Sequence, residues 1–80
     1  MEKKYRLQID FSKEAYSELE SLQNLLDAPS KSEVIRDALG VLRWVADEMT
    51  DGSRILVEKN TPTGNEVKEI VFHFIKRPRR

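Results

Sequence analysis

Apolar and polar residues alternate from the start of the chain. Tyr5, Leu7, Ile9 and Phe11 interleave with Lys4, Arg6, Gln8 and Asp10. A period of two over residues 4–11 predicts a strand with one face buried and the other wet. At Ser12 the period changes. A serine there can cap a helix, and Ala15, Leu19, Leu22 and Leu26 then recur at helical spacing, predicting a helix over residues 13–27. Pro29 ends it, because proline removes a backbone donor and clashes with the preceding turn. Ser30 followed by Glu33 has the form of a capping box. It opens a second helix over residues 31–50, stopped by Gly52. At about 100° per residue, Val34, Ile35, Ala38, Leu39, Val41, Leu42, Val45, Ala46 and Met49 fill an arc roughly 160° wide. A helix that apolar must be covered on more than one side. Trp44 lies at the edge of its polar side, either as a partly exposed aromatic or beneath a cover supplied by the C-terminal segment.

Beyond Gly52 the pattern returns to strands. Residues 54–58 and 67–74 are rich in Ile, Leu, Val and Phe, and residues 60–65, Asn-Thr-Pro-Thr-Gly-Asn, are dense in turn formers. The expectation is a β-hairpin with a loop of about six residues. It should dock on the second helix around Trp44, because a lone hairpin is marginal in water. Lys76–Arg80 reads as a basic flexible tail. The expected organisation is thus a two-helix unit over residues 1–52, a hairpin extension over 53–75 and the tail over 76–80.

Composition narrows the function classes. Eighty residues allow one domain with a small core, and a chain of that size often needs a staple or a partner. There is no cysteine and one histidine, His73, so neither disulfides nor a thiolate or multi-histidine metal site can be the staple. Association of copies is the remaining source of core. No Gly-rich phosphate loop, nucleophilic cysteine or metal-ligand spacing is present, and the carboxylates Glu14 and Glu18 lie one helical turn apart on a surface helix. The expectation is a binding protein, not an enzyme, with no cofactor. No apolar run approaches the roughly 20 residues of a membrane span, and the first residues lack the apolar stretch of a signal peptide. The expected location is the cytoplasm.

Fourteen basic residues balance fourteen acidic ones, but unevenly. Lys76, Arg77, Arg79 and Arg80 make one chain end basic, Lys3, Lys4 and Arg6 make the other basic, and the middle is acidic. Attraction to a polyanion depends on local charge, so overall neutrality does not exclude it.

A single strand ahead of two helices leaves backbone edges that need partners. Either it pairs with its own copy in a second chain, or it joins the C-terminal hairpin in a three-stranded sheet. The run Arg6-Leu7-Gln8-Ile9-Asp10-Phe11-Ser12, a helix of about four turns, and then Pro29-Ser30-Lys31-Ser32-Glu33-Val34-Ile35-Arg36-Asp37-Ala38-Leu39 resembles the ribbon-helix-helix repressors. The resemblance covers residues 4–50. It departs at Ala28-Pro29, where the family usually enters the second helix through glycine. It implies an α+β homodimer whose intermolecular two-stranded antiparallel ribbon enters the major groove of double-stranded DNA, here with a hairpin added. By position, Arg6, Gln8 and Asp10 would face base edges and Lys4 the backbone. Physical chemistry agrees: a ribbon fits the groove, arginine can bind guanine and glutamine adenine through paired hydrogen bonds, and aspartate can accept from cytosine or pair with Arg6 across the ribbon. Ser30, Lys31 and Ser32 stand at the second helix N-terminus, whose free amides and dipole attract phosphate.

The resemblance implies a transcriptional repressor or regulator. Two other readings remain open: the antitoxin of a toxin–antitoxin pair, with the hairpin holding a protein partner, and a monomeric β-α-α-β-β protein-interaction module that touches no nucleic acid.

Overall fold

The computed structural model describes residues 3–75. Among the described residues the chain is a small α+β fold with two helices, α1 (Lys13–Leu26) and α2 (Lys31–Thr50), and two strands, β1 (Ile55–Thr61) and β2 (Gly64–Ile70). It divides into two compact units, Met1–Arg36 and Asp37–Arg80, with α2 running through the division. No helix among the described residues is long and apolar enough to cross a membrane.

In the first unit the caps do what their residue types predict. Ser12 is extended (φ −65°, ψ 165°), its side-chain oxygen accepts from the Ala15 N–H at 3.1 Å, and its carbonyl accepts the first helical bond from Tyr16 at 2.9 Å. At the start of α2 the Ser30 hydroxyl accepts from the Glu33 N–H at 3.2 Å. The Glu33 carboxylate, expected to reach back and close the box, instead pairs forward with Arg36. Among the described residues of this unit Leu19 and Val34 are the buried apolar ones.

Both helices end in the same way. After α1 the Asp27 N–H donates to the Asn24 carbonyl (3.2 Å) and the Ala28 N–H to that of Gln23 (3.0 Å). After α2 the Gly52 N–H donates to Met49 (3.1 Å) and the Ser53 N–H to Glu48 (2.9 Å). These are paired Schellman bonds, which require a left-handed residue just past the helix. Gly52 (φ 93°) takes that conformation freely, whereas Asp27 (φ 51°) carries a Cβ into it. Asp27→Gly is therefore expected to raise stability by about 0.5–1 kcal/mol, and Asp27→Val to lower it by at least as much. Urea denaturation of the two variants beside the parent checks both signs.

Among the described residues of the second unit the buried positions are Val45 and Met49, one turn apart on one face of α2. Leu39, Val41 and Leu42, which belong to the same broad arc, stay exposed in the single chain. β1 and β2 form a two-stranded antiparallel sheet, running from Ile55 opposite Ile70 to Thr61 opposite Gly64. Two expectations fail here. The loop is two residues, Pro62-Thr63, not six, because Asn60 and Asn65 face each other in the ladder. The second strand stops at Ile70, short of Phe74, because β1 begins at Ile55 and offers nothing further to pair with. Beyond it the chain turns, with the Ile75 N–H donating to the Phe72 carbonyl at 3.1 Å and the Phe72 and Phe74 rings 5.6 Å apart. Pro62 cannot take the positive φ that the favoured two-residue hairpin turns need at their first central position. The positive φ falls instead on Gly64, at 131°.

Among the described residues the cover expected over Trp44 is not found: Trp44 is 57% exposed, and the buried positions on this part of α2 are Val45 and Met49. The sheet contains β1 and β2 only, so among the described residues the segment 4–11 does not join the hairpin. The expected tail at 76–80 lies outside the described residues.

Candidate nucleic-acid interface

The interface expected from sequence has two parts, both in the first unit: the segment ahead of α1, and the N-terminus of α2. Residues 3–12 lead into α1 without secondary structure of their own in the single chain. Lys4, Arg6, Gln8 and Asp10 are all exposed. So are the apolar residues between them: Tyr5 is 89% exposed, Leu7 81%, Ile9 49% and Phe11 40%. The gradient follows distance from α1. Phe11 meets the Tyr16 ring edge-on at 6.4 Å, one turn into the helix, and its ring is thereby partly sheltered. Each step away from that anchor leaves the next apolar side chain with less to touch.

At the start of α2, Ser30 and Lys31 are half-buried and Ser32 is exposed. Ser30 spends its hydroxyl on the cap. Lys31 is more engaged than its place at a helix start suggests. Its ammonium donates to the Gln23 side-chain oxygen at 3.2 Å, lies 4.0 Å from the Glu20 carboxylate, and sits 5.4 Å from the Tyr16 ring centroid. The Gln23 amide nitrogen in turn donates to the Ala28 carbonyl at 3.3 Å. Gln23 thus ties the helix turn to Lys31 by accepting from one side and donating to the other. None of this is visible in the linear pattern, since Gln23 and Lys31 lie on opposite sides of the Pro29 break. Any phosphate at this helix start would share Lys31 with α1.

The two parts meet at Tyr16, whose ring lies near both the Phe11 ring and the Lys31 ammonium. One aromatic residue therefore links the end of the alternating segment to the base of α2. Among the described residues no group of three or more metal-ligating side chains is assembled. Comparison with models of known protein families, with curated proteins and with solved structures finds no match to this chain.

Proposed function

We propose that the chain binds double-stranded DNA as a homodimer and acts as a transcriptional repressor or regulator. Residues 4–11 of two copies pair as an antiparallel ribbon, with Arg6, Gln8 and Asp10 toward base edges and Lys4 toward the backbone. Ser30, Lys31 and Ser32 receive a flanking phosphate. The observation that carries this reading is the exposure of Tyr5, Leu7, Ile9 and Phe11 along an unpaired segment. Four alternating apolar side chains are a poor surface to leave in water; a second copy of the segment closes the open backbone edge, and the helices of the two chains can cover the shared apolar face. Support also comes from the basic cluster Lys3, Lys4 and Arg6, which sets positive charge on the segment that would enter the groove.

The test is selection of bound DNA from a random pool, followed by two substitutions. Gln8→Ala should leave dimerisation intact and cost about 1–3 kcal/mol of discrimination for each bidentate glutamine–adenine pair it removes. Lys31→Ala should weaken binding to every sequence alike and reduce the salt dependence of the affinity by about one charge per site. A Gln8→Ala protein that kept the full preference of the parent for the selected site would refute the ribbon assignment.

A further inference from the structure

The hairpin offers a second surface that the ribbon does not use. Among the described residues the two-stranded sheet has both edges unpaired, and an isolated hairpin is marginal in water. Its apolar residues are not gathered on one side. Val57 shares a face with Ile55 and Ile70, while Leu56 and Val67 lie on the opposite face, and Leu56, Val57 and Val67 are all exposed. Docking one face on a helix would still leave the other in water. Extending the sheet sideways adds cross-strand neighbours to both faces at once.

The outer edge of β2 reads Asn65-Glu66-Val67-Lys68-Glu69. Placed antiparallel to its own copy about a two-fold axis at Val67, it sets Val67 against Val67, Glu66 against Lys68 twice, and Asn65 against Glu69 twice. Every charged position then meets an opposite charge or an amide. Moving the axis by one residue places Glu66 against Glu66, or Lys68 against Lys68, and like charges directly opposite each other are destabilising. Within one chain Glu66 and Lys68 already pair at 3.0 Å on one face, so these two positions present a self-matched dipole and no excess charge.

We propose that β2 pairs with β2 of a second copy, centred on Val67, giving a continuous four-stranded antiparallel sheet across two chains. The interface is independent of the ribbon: it is isologous, as two-fold interfaces between identical chains are, and needs no nucleic acid.

The absence of cysteine makes the test direct. Val67→Cys in the full chain should form a disulfide between copies under mild oxidation, since opposed residues of an antiparallel pair stand within disulfide range. Val57→Cys, similarly accessible on β1, should cross-link at least about tenfold more slowly. Sedimentation supplies a second reading that a thiol cannot bias. In the Leu7→Ala background, where ribbon pairing is removed, Glu66→Lys should weaken the remaining self-association several-fold, and adding Lys68→Glu should restore it. Combining Val67→Cys with Leu7→Ala separates this proposal from the ribbon, because cross-linking at residue 67 should survive the loss of ribbon pairing. Equal cross-linking rates at 67 and 57, or no cross-link at 67, would overturn the proposal, the second result being expected if the edge takes a strand from a different protein.

Discussion

Leu7→Ala is expected to weaken the pairing of two chains through residues 4–11 about 100- to 1,000-fold while leaving the helices of each chain intact. Leu7 is 81% exposed in the single chain, so nearly all of its apolar surface remains to be buried by a partner. At roughly 1.5–2 kcal/mol per side chain, the two copies in a dimer give about 3–4 kcal/mol, which is that range of dissociation constants. Phe11→Ala behaves differently. Phe11 is 40% exposed and already leans on Tyr16, so its loss is divided between the folding of one chain and the joining of two. Sedimentation equilibrium separates the two variants, with circular dichroism as the control for fold. A Leu7→Ala protein that associates like the parent, or a parent that stays monomeric at high micromolar concentration, would remove the basis for the ribbon.

Met49→Ala should have the largest effect within a single chain. Met49 is 3% exposed and stands one turn from buried Val45 on α2. Truncating a buried methionine typically costs about 2–5 kcal/mol, since lost transfer energy and an unfilled cavity add. An 80-residue chain has a total of roughly 4–12 kcal/mol to lose. The variant should therefore unfold at much lower denaturant concentration, whereas Val41→Ala, on the exposed part of the same helix, should barely move the single-chain transition. Equal midpoints for Met49→Ala and the parent would show that this face of α2 is not the core of the second unit.

The helices were legible in the residues because their boundaries are chemically local. Ser12, Ser30 and Gly52 each act within one turn of their own position, and α1 and α2 begin and α2 ends where those residues put them, while α1 stops at Leu26 through the left-handed Asp27, ahead of Pro29. The hairpin was legible as a hairpin but not in its register. Asn60 and Asn65 have the composition of a loop, yet they oppose each other inside the ladder, and only the pairing of β1 with β2 decides that. The end of β2 at Ile70 was hidden for the same reason: Phe72 and Phe74 continue the apolar pattern, but no residue of β1 lies opposite them. In the segment 4–11 the alternation predicted a strand with one face buried, whereas in the single chain these residues have no secondary structure and the polar and apolar positions alike are exposed, because no neighbouring strand is there to pair with. The engagement of Lys31 with Gln23, Glu20 and Tyr16 was not legible in the sequence, since it depends on how the chain returns past α1 after Pro29.

The two-residue connection at Pro62-Thr63 carries a kinetic consequence. Both helices form from residues a few positions apart, and the hairpin closes across the shortest of loops, so no ordered element waits for a distant part of the chain to arrive. Helices of this length relax in about a microsecond and hairpins in about 1–10 μs, and structures dominated by such near neighbours fold fast. Encounter between separate molecules at micromolar concentration is far slower, at the usual rate of roughly 10⁵–10⁷ M⁻¹s⁻¹. Ordering within one chain is therefore faster than any encounter with a second molecule, so the rate of any step that needs a partner would be set by concentration and not by the internal ordering of the chain.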